Sequence, residues 1–249
     1  MNHKLLGTAF LFTTLFINAQ NVEIPNEKFK TYLLNNLEIN TNNDTEIQLS
    51  EASDFTGTID ISAEEIYNIT GIEAFINIKE LYCNDNGISS FDLSKNTALE
   101  ILDCSSNPLI AIDLSKNINL KKLDCVQCSL TSLDVSKNVD LTFLDCDINY
   151  IKSLDLSKNI SLTEVHCLKN TDLKIICVNP LHQTDTWLKE QDAEWSTDCT
   201  ITDINDLTKS TKKTIVMVVD LQGKVINEDY KGLSIIVYSD GSRAKVLVE

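Results

Sequence analysis

Cysteine recurs at Cys83, Cys104, Cys125, Cys146 and Cys167, always 21 residues apart, and the surrounding text repeats with it: ELYCNDN, ILDCSSN, KLDCVQC, FLDCDIN, EVHCLKN. A fixed period of this length constrains the fold more tightly than any composition. Each repeat is one short unit that cannot bury its apolar side alone, so successive units must stack into a solenoid. Function is then to be sought on a surface that repeats.

The coils begin with Ile59-Asp60-Ile61, 22 residues before Leu81-Tyr82-Cys83, and continue at Leu102, Leu123, Leu144 and Val165, which makes six. With Leu before the Cys and Asn after it in most of them, the coils follow the LxxLxLxxN grammar of leucine-rich repeats. The Cys of this pattern points inward, and free Cys packs as a small hydrophobe, so the five are expected to be a reduced, buried column. Zinc is the competing reading, but a 21-residue spacing spreads the thiols along the axis instead of converging them. Cys128 stands where neighbouring coils carry Asn107 and Asn149. A return motif, FDLSKN, IDLSKN, LDVSKN and LDLSKN, sets Asp92, Asp113, Asp134 and Asp155 in one column and Asn96, Asn117, Asn138 and Asn159 in another. Buried Asn side chains can satisfy backbone groups from coil to coil.

The predicted fold is an α/β solenoid of about six leucine-rich coils, with a parallel sheet on the concave face. Its flanks read differently. Residues 1–19, with MNHK followed by the uncharged LLGTAFLFTTLFI, have the form of a signal peptide, and no other run is apolar enough to span a membrane. Residues 20–58 form an N-terminal cap, in which Pro25 and NEKFKTYLLNNL place Phe29, Leu33 and Leu37 at helical spacing. The repeats occupy 59–172, and a C-terminal cap follows at 173–199. There Asp185, Trp187, Leu188, Gln191 and Trp195 suggest an amphipathic helix, and Cys177 and Cys199, outside the repeated column, are the expected disulfide. Residues 200–211 are a polar linker. In 212–249 the runs KTIVMVVD, LSIIVYS and SRAKVLVE, separated by LQGK and Asp240-Gly241, predict a small antiparallel β tail.

Residues 40–51 reproduce the spacing of an EF-hand loop. Asn40, Asn42, Asp44, the Glu46 carbonyl and bidentate Glu51 are candidate ligands for a structural calcium ion, with Ile47 as the buried anchor. Asn replaces the usual Asp at the first position and Thr45 the usual Gly, so a polar loop between helix and coil is the competing reading.

The net charge of −16, from 37 acidic against 21 basic residues, leaves no basic footprint for nucleic acid. No G-x-S-x-G, H-E-x-x-H or glycine-rich phosphate loop occurs, and the histidines are His3, His166 and His182, so an enzyme is not expected. Asp124 and Asp145 belong to a repeating column rather than to an isolated carboxylate pair. The informative positions project from the inner strands: Tyr82, Asp103, Asp124, Asp145 and His166; Val126, Asp147 and Leu168; and Phe143 and Ile148. Apolar residues rimmed by carboxylates here form the candidate ligand-binding surface.

Residues 59–170, with the return motif LDLSKN, resemble secreted bacterial leucine-rich-repeat proteins of the Bacteroidetes type. The flanks IPNEKFKTYLLNN, TGTIDIS, TGIEAF and the Cys-flanked Trp segment also look like theirs. Residues 213–249, through VVDLQGKVI and LSIIVYSDGSRAKVLV, resemble the end of the C-terminal sorting domain recognised by the type IX secretion system. The opening strands of that β-sandwich, usually introduced by Asn-Pro, are missing. The resemblance implies a secreted or cell-surface module that binds a protein or glycan through its concave face and uses the type IX machinery. The alternative is a structural component of the envelope, with the solenoid as a rigid spacer.

Overall fold

The computed structural model describes residues 20–180, 186–197 and 199, together with strands at 215–220, 232–238 and 243–248. The expected signal peptide and linker lie outside the described residues. Helix α1, Glu27–Asn35, starts where the Asn26 side chain accepts a hydrogen bond from the Phe29 N–H at 3.0 Å. Phe29 and Leu33, one turn apart, are fully buried. Leu37 was expected to extend this apolar face, but the helix ends at Asn36 and Leu37 is 69% exposed. Helix α2, Leu49–Asp54, opens with a capping box in which Glu51 Oε2 accepts the Gln48 N–H at 3.0 Å.

The coils contribute β1 (Thr58–Asp60), β2 (Glu80–Tyr82), β3 (Ile101–Asp103), β4 (Lys122–Asp124), β5 (Phe143–Asp145) and β7 (Glu164–Cys167) to one parallel sheet in chain order. Register follows the repeat, with Leu81 opposite Leu102, Leu123 and Leu144 in succession. These middle residues are fully buried. The residues on either side face the opposite way, so the strands present columns to solvent. The return sides are mainly turns, and helices are few among the described residues.

Three ladders join the coils. The five column cysteines are buried and free, as is Cys128. Four thiols reach the next coil's carbonyl: Cys104 to Asp124 at 3.5 Å, Cys125 to Asp145 at 3.3 Å, Cys146 to His166 at 3.4 Å and Cys167 to Leu188 at 3.2 Å. Burial pushes the Cys125, Cys146 and Cys167 thiols up, that of Cys167 to about 12, which keeps them protonated. In the second ladder, Asn107 Nδ2 donates to the Cys83 and Cys104 carbonyls and its Oδ1 accepts the Ile88 N–H. Cys128 preserves half of this, its Sγ donating to the Cys104 carbonyl at 3.1 Å. In the third, Asn96, Asn117, Asn138 and Asn159 each donate Nδ2 to carbonyls of the preceding coil, as expected.

The C-terminal cap departs from the expected helix. Strands β8 (Ile175–Cys177) and β10 (Glu194–Ser196) join β6 (Ser153–Asp155) in a second parallel sheet, order β10-β8-β6, while β9 (Leu188–Lys189) extends the main sheet beside β7. The physical reason is the open edge: the last coil presents unpaired backbone groups that a strand satisfies and a helix does not. Trp187 is buried, its Nε1 donates to the Thr163 carbonyl at 3.1 Å, and its ring meets Trp195 edge-on at 5.8 Å. Asp185 and His182 lie outside the described residues. The Cys177–Cys199 disulfide is present, with Cα atoms 5.2 Å apart.

In the tail, β11 (Ile215–Asp220), β12 (Gly232–Tyr238) and β13 (Arg243–Val248) pair antiparallel in that order, matching the three apolar runs. The predicted turns at LQGK and Asp240-Gly241 lie outside the described residues.

Candidate functional site: the concave face

Strand pairing brings Asp103, Asp124, Asp145 and His166 into register on successive strands. Neighbouring strands are about 4.8 Å apart, so like charges here repel. Each Asp also has a local task. Asp103 Oδ1 accepts from the Ser105 N–H at 3.0 Å, Asp124 Oδ1 from Val126 at 3.2 Å and Asp145 Oδ1 from Asp147 at 3.0 Å. Asp147 Oδ1 in turn accepts the Leu168 N–H at 2.5 Å. These bonds turn the chain off the inner strand.

The same contact has an opposite electrostatic outcome on the two sides of the solenoid. On the return side, Asp92, Asp113 and Asp134 bind the N–H groups of Ser94, Ser115 and Ser136, which hold the carboxyls below their usual range. On the concave face burial dominates. It pushes Asp124 up to about 6, with repulsion from Asp103, Asp145 and Asp147 adding to the shift, and it raises Asp147, with repulsion from the Asp145 charge as the second cause. Asp124 and Asp147 therefore carry their charge under electrostatic strain.

At its C-terminal end the row meets an aromatic pair. His166 Nδ1 lies 3.1 Å from Asp145 Oδ2, its Nε2 lies 3.1 Å from Glu164 Oε1, and its ring stands edge-on to Phe143 with centroids 5.9 Å apart. Phe143, Val126 and Leu168 are partly exposed, and Ile148 is 38% exposed on the following bend. Ile148 holds φ at 56°, in the column of left-handed residues Asp85, Ser106, Gln127 and Lys169. For a β-branched residue that conformation is costly. Tyr82 lies apart from this cluster, its hydroxyl 3.4 Å from Glu80 Oε2. Glu164, not among the expected site residues, is brought in by its pairing with Phe143, and the 21-residue register could have identified it.

The 40–51 segment runs from beyond α1 into the first turn of α2, which carries Glu51. Asn40 Oδ1 and Asn42 Oδ1 accept the Asp44 N–H, Asp44 Oδ1 accepts the Glu46 N–H, and Glu51 Oε1 accepts from the Thr41 hydroxyl and the Asn42 N–H. Glu46 Oε1 pairs with Lys30 at 2.8 Å, and Ile47 is fully buried. The donor set is rich in oxygen, as a hard cation requires. The Asn42 and Gln48 amides donate into the Asp44 carboxylate and would have to turn for a cation to enter.

A parallel sheet of short strands, inward Leu and Cys columns and Asn ladders define a leucine-rich-repeat solenoid. The functional domain of InlJ from Listeria monocytogenes, which includes a cysteine ladder, is similar at 29% identity and a TM-score of 0.51, over 63% of this chain. The chain spans 39% of that one. Two further Listeria monocytogenes structures are similar: an internalin C2 at 15% identity, covering 70% of this chain and 94% of that one with TM-score 0.47, and an internalin InlF at 17%, covering 74% of each with TM-score 0.43. No family model and no curated protein matches the chain.

Proposed function

We propose that this protein is an exported interaction module whose concave face binds a protein partner. The supporting observation is the Phe143–His166 pair, with Val126 and Leu168 on neighbouring coils, all four partly exposed beside the strained Asp124 and Asp147. An aromatic anchor within a polar rim is the usual anatomy of a binding surface. A partner supplying positive charge beside Asp124 and Asp147 would also relieve their repulsion.

The test is proximity labelling and pull-down from intact cells with residues 20–249 as bait. Phe143→Ala should weaken capture by about 30-fold, the effect of losing a 2 kcal/mol anchor, with the circular dichroism spectrum unchanged. Asp145→Asn keeps the local oxygen acceptor but removes the charge, and should also weaken capture. Indifference to both substitutions would favour the rigid-spacer reading.

The antiparallel tail supports a sorting role. In this reading residues 1–19 deliver the chain to the periplasm and 213–249 address it across the outer membrane. Deletion of 213–249 should abolish surface exposure in protease shaving, whereas equal accessibility of the truncated and complete chains would refute the role. The 40–51 loop is proposed to hold one structural calcium ion that fixes the N-terminal cap.

A further inference from the structure

A second surface stands out on the return side of the first two coils, away from the concave face. A cleft of about 410 Å³ is lined by residues 67–70, 72–73 and 89–92, with Tyr67 and Phe91 as its aromatic members. That volume falls within the range of small-molecule sites, about 300–1,000 Å³. Tyr67 is 66% exposed, yet its ring is seated on Gly87, where a Cβ would collide with ring atoms Cδ1 and Cε1. The equivalent positions in the next coils carry Pro108, Ser129 and Tyr150, so the seat is particular to this coil.

The polar lining is partly fixed in advance. Asn68 Oδ1 accepts the Thr70 N–H at 2.6 Å, Glu73 Oε2 accepts the Gly71 N–H at 2.8 Å and Asp92 Oδ1 accepts the Ser94 N–H at 2.8 Å. Each of these side chains uses one atom to hold backbone, which orients its other polar atom without further loss of rotamer freedom. Thr70, Ser89 and Ser90 add hydroxyls that both donate and accept.

We propose that this cleft binds a neutral oligosaccharide. The apolar C–H face of a sugar ring packs on the Tyr67 ring, while its hydroxyls exchange hydrogen bonds with the surrounding amide, hydroxyl and carboxylate groups. The lining itself contains no Lys, Arg or His and carries the carboxylates of Glu73 and Asp92, which disfavours sulfated or phosphorylated ligands, although Lys28 and Lys95 act on Tyr67 and Asp92 from outside it. The mixed donors and acceptors suit a polyol, where a cation would use acceptors alone.

The test is saturation-transfer NMR on the mature chain with hexasaccharides of glucose, N-acetylglucosamine and mannose, and a heparin hexasaccharide as the sulfated control. At least one neutral probe should bind with a dissociation constant below about 10 mM. Tyr67→Ala should weaken it by about tenfold or more, equivalent to about 1.4 kcal/mol. Gly87→Val, which forces the ring from its seat, should do the same. Phe143→Ala should leave it unchanged, so this proposal and the concave-face reading fail separately. Absence of binding by every neutral probe, stronger binding of heparin, or retention within twofold in both Tyr67→Ala and Gly87→Val would overturn it.

Discussion

Truncating Asn117 to Ala isolates the contribution of the return-side ladder. Its Nδ2 donates to the Leu93 carbonyl at 3.0 Å and the Asn96 carbonyl at 2.9 Å, and the residue is fully buried. The substitution removes both bonds, while each carbonyl keeps one backbone donor, the Asn96 N–H on Leu93 and the Leu99 N–H on Asn96. At about 0.5–1.5 kcal/mol net per bond, and with no acceptor left stranded, the loss is about 1–3 kcal/mol. For a domain of this size that lowers the melting temperature by about 2–12 °C. In urea the midpoint should fall with no change in slope, since the surface exposed on unfolding is nearly the same. Asn117→Asp should cost more than Ala, because a carboxylate oxygen would face the same two carbonyls. Asn138 donates to the Asn117 carbonyl at 2.8 Å, so Asn117→Ala and Asn138→Ala together should not be additive. A cost below about 0.5 kcal/mol for Asn117→Ala, the level of an ordinary surface change, would refute the ladder's energetic role.

Other outcomes follow from the charges, the loop and the cap. Asp124 is raised to about 6 in the folded chain, so its stabilising contribution is present below the unfolded carboxylate range and is lost as pH rises through 6. Asp124→Asn, which keeps the acceptor for the Val126 N–H, should therefore stabilise the protein at pH 8 and change little at pH 4; destabilisation at pH 8 would contradict this. Calcium at about 100 times its dissociation constant should add about 2.7 kcal/mol to stability, and Glu51→Gln should abolish that increment. Coincident melting curves with and without millimolar calcium would dismiss the ion. Mass spectrometry of unreduced digests should find Cys177 bonded to Cys199 and the column cysteines reduced, and selective reduction should cost about 3 kcal/mol for a loop of this length; a bridge between column cysteines would reverse the assignment.

The coils were legible because their information is periodic: the 21-residue spacing of Leu and Cys sets both the number of strands and their register. The Asn columns were legible for the same reason, as was the disulfide, whose two cysteines fall outside the column. The C-terminal cap was not. Trp187, Leu188, Gln191 and Trp195 have a spacing that a helix could use, but strand or helix was decided by the edges left by β6 and β7, which a local pattern does not contain. The concave face was half legible. Its residues could be assigned to columns, but the bonds from Asp103, Asp124 and Asp145 to the second residue onward, and the burial that raises Asp124, depend on the folded bend. The left-handed column also escaped notice, because Asp85, Ser106, Gln127, Ile148 and Lys169 include no glycine to mark it.

The disulfide that staples the last strands also bears on how the solenoid behaves under tension. Because its strands lie across the long axis, a pull from the two ends peels coils apart in sequence instead of shearing them all at once. Each detached coil frees 21 residues, about 7 nm of slack at full extension, so a force trace would climb in equal steps. The Cys177–Cys199 link withholds the chain between those residues from that extension. A solenoid pulled from its two ends would thus lengthen gradually and stop short of its contour length, with reduction releasing the remainder as one final increment.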